Sequence, residues 1–217
     1  MTSFRTQKQS GQRQTKSKMF FTPDFRLDLD WKDTHHLRVG SVLPINALQI
    51  SKSLKDMSSE SIRNRFLGSK KEFTQKELDY LTQLDGFNHY AIGIEERDRP
   101  QRGVAIVRLV RSSEEPHQAE IAISIIDDYQ KMGLGGFLLN LITLAAFERG
   151  ITKLSFTYLP QNDGIVRLIS KMGVLIPGPH TLDYTQMFLV IGPEDAERIK
   201  ANLVFKKTGI NFTFNRP

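Results

Sequence analysis

Residues 119–136 read AEIAISIIDDYQKMGLGG, and this stretch decides the fold. Its first half is apolar and β-branched, and strict alternation along a strand places Glu120, Ala122 and Ser124 on one face. The opposite face consists of three isoleucines, Ile121, Ile123 and Ile125. The isoleucine face therefore packs against a core. The other face carries a carboxylate beside small side chains, which is typical of a strand that lines a cleft.

The second half of this stretch predicts a glycine turn that begins a buried helix. An apolar stripe at helical spacing follows the turn and runs to Gly150, whose position is typical of a helix end. The first amides of a helix have no internal partner, and the helix dipole is positive at that end. Glycines let an anion approach such amides closely, so the pattern predicts a phosphate site. A Rossmann site is disfavoured because Gly133-Leu-Gly135 lacks the third glycine at its spacing, and a P-loop because no Gly-Lys-Ser/Thr follows.

The spacing Gln130-x-x-Gly133-x-Gly135 resembles the pyrophosphate-binding signature of the GNAT superfamily of acyl-CoA N-acyltransferases. A later segment that begins at Asn162 and ends in Lys171-Met-Gly173 is similar to the family's second conserved region. The resemblance covers about residues 35 to 191. It departs from the family at Met132, where an arginine is usual, and at Ile169, where a tyrosine general acid is frequent.

This resemblance implies an α+β GNAT fold, in which a mixed, mostly antiparallel sheet is flanked by helices and two neighbouring strands diverge to admit a pantetheine arm. It also implies acetyl-CoA as cosubstrate, with backbone amides near the end of the central strand polarising the thioester carbonyl. The expected contacts are Ile123, Ser124, Ile125, Gln130, Lys131, Met132, Gly133, Leu134, Gly135, Gly136 and Asn162. Asn162 is equally well interpreted as a helix cap.

Residues 57–68 and 119–122 resemble, in detail, the bacterial protein-lysine acetyltransferases of the Pat type. That resemblance implies direct acetyl transfer to a protein lysine with Glu120 as general base. A base is needed because a lysine of pKa about 10.4 is a free amine only rarely at pH 7, a deficit near 4.6 kcal/mol. The alternative for Glu120 is a solvent-facing glutamate. The alternatives for the chain are an acetyltransferase for small amines and a non-catalytic acyl-CoA-binding regulatory module, and the general acid stays unassigned.

Composition agrees with one domain and excludes several chemistries. The 217 residues include no cysteine, which rules out disulfides, thiolate zinc sites and a cysteinyl acyl-enzyme. His35 and His36 are adjacent and face opposite sides of a strand, so no metal site is expected. The sequence has no apolar run of membrane-spanning length, and we expect a cytoplasmic protein without a membrane partner.

The positive charge is concentrated at the start of the chain. Residues 1–20 contain five of the net six positive charges and no acid, and they predict a disordered basic tail. We expect an acetyltransferase domain over 21–205 and a second tail over 206–217. Because that domain is nearly neutral, nucleic acid is not expected as a partner. The oligomeric state is left open.

Two local signals give further predictions about structure. Thr74-Gln-Lys-Glu77 is a capping box, which predicts the start of a helix. Pro177-Gly-Pro179 predicts a rigid turn.

Overall fold

The computed structural model describes residues 19–32 and 34–205. The two predicted tails therefore lie outside the described residues, apart from the last two residues of the first. The proposed division of the chain into a domain and two tails stays a prediction.

The described residues form one eight-stranded sheet. Its strands, in chain order, are β1 (Arg26–Trp31), β2 (His35–Ser41), β3 (His89–Glu96), β4 (Gly103–Arg111), β5 (Gln118–Ile125), β6 (Lys153–Tyr158), β7 (Leu175–His180) and β8 (Thr185–Val190). The order across the sheet is β1-β2-β3-β4-β5-β6-β8-β7. Only β5 and β6 pair in parallel, and every other neighbouring pair is antiparallel.

Six α-helices flank the sheet within the described residues. They are α1 (Ala47–Ser53), α2 (Ser59–Phe66), α3 (Gln75–Thr82), α4 (Leu134–Glu148), α5 (Asp163–Ile169) and α6 (Pro193–Phe205). Strands and helices together confirm the predicted α+β class with a mixed, mostly antiparallel sheet.

The central strand β5 follows the predicted alternation. Ala119 and Ile121 are buried in the core, whereas Glu120 between them is exposed. The core helix α4 packs against β3, β4 and β5, and it is apolar nearly all round. A helix of that kind has to be buried on most sides, which explains why strands and the C-terminal helix α6 both cover it.

The strands β5 and β6 separate soon after they meet. Their parallel pairing covers three residue pairs, from Gln118–Lys153 to Glu120–Ser155. Beyond that point β5 continues to Ile125 and β6 to Tyr158 without pairing to each other. The divergence that was predicted between two neighbouring strands is therefore present, and it opens a gap in the middle of the sheet.

The two local predictions have opposite outcomes. The capping box is confirmed, since the Thr74 hydroxyl accepts from the Glu77 amide at 3.3 Å while the Glu77 carboxylate accepts from the Thr74 amide at 2.8 Å. The predicted turn at residues 177–179 is wrong, because these residues lie within β7. This strand is at the edge of the sheet, where a proline that cannot donate a hydrogen bond is tolerated. Its pairing with β8 is interrupted between Pro177 and His180.

Candidate active site

Glu120 lies where the two central strands part. It forms the last parallel pair, with Ser155 of β6, and it stands opposite Val110 of β4. Its side chain is exposed and projects from the face that also carries Ala122 and Ser124. The structure thus places a carboxylate at the entrance of the gap, on the side of the sheet away from the buried helix α4.

The end of β5 presents a backbone edge to this gap. On its other side the strand pairs continuously with β4, as far as Ile125 opposite Ala105. Toward β6 no described strand pairs with residues 121–125, so the alternate backbone groups that point to that side face the gap. The Ser124 hydroxyl makes a 3.6 Å contact with the Met57 sulfur, which ties β5 to the segment before α2. The role of residues 123–125 in polarising a thioester stays a prediction.

The glycine turn forms the start of α4, as predicted. Gly133 precedes the helix with a φ of 95°, a left-handed conformation that favours glycine, and Lys131 is also left-handed at 59°. The Phe137 amide donates to the Gly133 carbonyl at 3.2 Å. The amides of residues 134–136 therefore precede the first intrahelical bond and are available to an anion.

The two glycines inside the helix have different surroundings. A Cβ at Gly135 would lie 3.1 Å from a Leu168 methyl carbon, so this glycine allows α5 to pack closely on α4. A Cβ at Gly136 would meet no atom within 4 Å. Gly133 and Gly136 line a cavity of about 400 Å³, to which Lys171 contributes positive charge, while Arg198 in the same lining is paired with Asp195 at 2.7 Å.

Gln130 lies beside the turn, but its side chain forms hydrogen bonds to other residues of the protein. Its amide nitrogen donates to the Ser61 hydroxyl at 2.9 Å, to the Ile125 carbonyl at 3.1 Å and to the Asp127 carboxylate at 3.0 Å. Asp127 in turn accepts from the Ser58 amide at 2.9 Å and from the Ser61 hydroxyl at 2.6 Å. We call these contacts the α2 latch, because they fasten the beginning of α2 to the glycine turn.

Met132 and Asn162 also have partners within the chain. The Met132 carbonyl accepts a hydrogen bond from the Trp31 indole at 3.2 Å. The Asn162 side-chain oxygen accepts from the Ile165 amide at 3.2 Å, which confirms that Asn162 caps α5. Its contact with acetyl-CoA stays a prediction. At the position where the family often has a tyrosine, Ile169 is fully buried.

Two arginines near Glu120 were not predicted. Arg108 of β4 is a diagonal neighbour of Glu120 on the same face of the sheet and is only 4% exposed. It donates to the His89 ring nitrogen Nε2 at 2.5 Å and to the Leu81 carbonyl at 2.8 Å. Arg65, near the end of α2, is half-buried and interacts electrostatically with Glu120. A single arginine inside the apolar run of β4 was the available signal for Arg108.

Burial shifts the pKa values of this group in a consistent direction. Desolvation, helped by Arg108, lowers the pKa of His89 to about 4, so its ring is neutral at pH 7 and accepts from Arg108. Desolvation also lowers the pKa of Arg108 to about 10, and repulsion from Arg65 adds to that shift. The pKa of Arg65 is lowered by burial, while Glu120 opposes that shift. Both arginines remain charged at neutral pH.

The described residues offer neither a metal site nor a membrane span. No group of three or more histidine, aspartate or glutamate side chains among them is arranged to hold a metal ion. In the same part of the chain, no helix has the length and apolar character needed to cross a bilayer.

Comparison with known proteins identifies the family. The model of the acetyltransferase (GNAT) family matches residues 56–174, which is more than half of the chain, and the chain belongs to that family. The predicted family, a family of N-acetyltransferases that use acetyl-CoA, is thereby confirmed.

A curated relative, the acetyltransferase Pat of Mycolicibacterium smegmatis, is 26% identical over 134 residues. That match covers 62% of this chain and 40% of the relative, so the chain spans less than half the length of the protein it resembles.

Two solved structures show the same fold. The GNAT domain of S. lividans PAT has a TM-score of 0.69 at 20% identity, and the match covers 76% of this chain and 97% of that one. An acetyltransferase from Salmonella typhimurium with its cofactor acetyl-CoA has a TM-score of 0.57 at 16% identity, over 72% of this chain and 95% of that one. The predicted GNAT fold is confirmed by these likenesses.

Proposed function

We propose that this chain transfers an acetyl group directly from acetyl-CoA to the side-chain amine of a protein lysine, with Glu120 as general base. The observation that carries the proposal is the position of Glu120, an exposed carboxylate at the point where β5 and β6 part. The resemblance of residues 57–68 and 119–122 to Pat-type enzymes supports a protein as the acceptor. The curated relative named Pat is consistent with it.

The cosubstrate would bind between the glycine turn and the end of β5. The amides of residues 134–136 and the charges of Lys131 and Lys171 suit a pyrophosphate group. The unpaired edge of residues 123–125 suits the pantetheine arm and the thioester carbonyl. In the reaction, Glu120 takes the proton of the acceptor ammonium, directly or through water. The neutral amine then attacks the thioester carbon, CoA leaves as the thiolate, and the second proton of the attacking nitrogen passes to the thiolate or to solvent.

The substitution Glu120→Gln tests the base. It keeps the shape of the side chain but removes the proton acceptor, so turnover should fall by about 10²- to 10⁴-fold. Because Glu120 is distant along β5 from the glycine turn, calorimetry should find acetyl-CoA binding almost unchanged. Glu114→Gln is the matched control, since Glu114 is an exposed carboxylate in the turn between β4 and β5. This control should keep the wild-type rate.

The acceptor can be tested with a thiol-reactive dye, because the chain has no cysteine and only released CoA will react. We expect release with folded protein substrates and acetyl groups mapped to lysine side chains. Efficient turnover of one small amine, with proteins unlabelled above chemical background, would favour the small-amine alternative. Tight binding of acetyl-CoA without turnover of any amine would favour the regulatory module. A Glu120→Gln enzyme as fast as wild type would remove Glu120 from the mechanism.

A further inference from the structure

The charged side chains that interact next to Glu120 carry more positive than negative charge. Glu120 supplies one negative charge, and Arg65 and Arg108 each supply one positive charge. His89 is neutral at pH 7 because its pKa is lowered to about 4. The groups around the proposed base therefore sum to one net positive charge, although the reacting acceptor amine arrives as a cation.

The two guanidinium groups interact unfavourably with each other. The charge of Arg65 lowers the pKa of Arg108, and both pKa values are lowered further by burial. Among the described groups that act electrostatically on Arg65, Glu120 is the only carboxylate, and the second group is the phenol of Tyr80. Buried charges of like sign are costly unless an anion compensates them. Glu120 offsets one of the two positive charges, and the second has no described carboxylate beside it.

Arg65 is the member of the pair that has capacity for a ligand. Within residues 19–32 and 34–205 its guanidinium makes neither a hydrogen bond nor an ion pair, although it lies over the adjacent Phe66 ring at 5.2 Å. Arg108 already donates to His89 and Leu81, while its Nε is buried without a partner. A guanidinium group matches the planar geometry of a carboxylate, which it binds through two parallel hydrogen bonds.

We propose that Arg65, supported by the charge of Arg108, binds a carboxylate that the acceptor carries close to its reactive amine. The inference rests on the proposed function, because it assigns these residues to the acceptor half of the same site. The acceptor lysine then lies beside an acidic residue, or the acceptor is an amino acid with its own carboxylate. The two arginines also favour the neutral form of a nearby amine, which assists Glu120 in removing the proton.

Two pairs of acceptors test the inference on the wild-type chain. The first pair is a peptide with glutamates on both sides of a single lysine and the same peptide with glutamines instead. The second pair is free lysine and cadaverine, which is lysine without its carboxyl group. We expect the acid-flanked peptide to have a kcat/KM about 10-fold higher than its neutral partner, mainly through KM. A preference in the second pair alone would identify a free amino acid as the source of the carboxylate.

The variant Arg65→Gln should remove this preference. It should lower the rate of acetylation of the acid-flanked peptide to that of the neutral peptide, and it should change the rate of the neutral peptide much less. A general loss of structure would lower both rates. Arg63→Gln on the same helix is the matched control, because Arg63 is exposed. It should keep the preference. Arg65→Lys should retain part of it, because a lysine keeps the charge but not the fork of donors.

The outcomes separate the two proposals. If the wild-type chain acetylates both members of each pair equally well, the carboxylate site is refuted while the proposed function stands. The carboxylate site is likewise refuted if Arg65→Gln slows both peptides by the same factor or leaves the preference intact. If no acceptor is acetylated at all, the proposed function fails, and the inference that rests on it fails too. Circular dichroism and acetyl-CoA calorimetry establish that each variant is folded.

Discussion

The substitution Gly136→Glu should abolish acetyl-CoA binding through charge rather than through shape. Gly136 is the third residue of α4, and a Cβ added there meets no atom within 4 Å. A glutamate at this position therefore fits, and it puts a carboxylate beside the amides proposed to hold the pyrophosphate. Two unit charges 5 Å apart repel by about 3 kcal/mol at an effective dielectric constant of 20. That energy corresponds to a loss of affinity of about 100-fold or more.

Isothermal titration calorimetry with acetyl-CoA measures this loss, and Gly136→Gln is the control. Glutamine has the size of glutamate without its charge, so its variant should bind within a few-fold of wild type. The difference in acetyl-CoA affinity between the two variants should become smaller at high salt, because exposed charges are screened. Equal affinities of the two variants would refute a phosphate site at this helix start. Gly135 is a poorer choice for this test because a side chain there would press on Leu168, 3.1 Å away.

Two further predictions concern the groups around the site. Asp127→Asn should lower the free energy of unfolding by about 1 kcal/mol and speed amide hydrogen exchange in α2. The cause is the loss of the carboxylate charge that holds Ser58 and Ser61. Unchanged exchange in α2 would contradict the α2 latch. The free energy of unfolding of the wild-type chain should fall by about 1–2 kcal/mol when the pH is lowered from 7 to 5. The reason is that the unfolded chain protonates His89 near pH 6.5, whereas the folded chain protonates it only near pH 4. Urea unfolding measures this change. His89→Asn should lose correspondingly less over that range, and equal losses would refute the lowered pKa.

The fold and the glycine turn could be predicted because their signals are local. The alternation of residues 119–125 and the helical stripe after Gly133 follow from two short-range periods, and the structure has the strand and the helix where these periods place them. The capping box at Thr74 is equally local, because both of its hydrogen bonds join residues three apart. Pro177 was misjudged because proline indicates a turn locally, whereas its tolerance in β7 depends on that strand being at the sheet edge.

The acceptor half of the candidate site could not be predicted, because its residues meet only through tertiary structure. Arg108 reaches the side of Glu120 through the register of β4 and β5, which a single strand does not reveal. Arg65 and Arg63 lie in the same short basic segment, and they differ only in the side of α2 from which each projects. The sequence also indicated Gln130 as an acetyl-CoA contact. One of the three partners of its side chain, Ser61, lies 69 residues earlier in the chain.

The α2 latch connects the two halves of the proposed active site through one short helix. Ser61 of α2 is bound to Gln130 and Asp127 beside the glycine turn, and Arg65 lies about one turn further along the same helix. A displacement of the glycine turn would therefore move the guanidinium group proposed to hold the acceptor. Binding of acetyl-CoA at the turn and binding of an acidic acceptor at Arg65 should then be thermodynamically coupled, and each ligand should change the affinity of the other by the same factor.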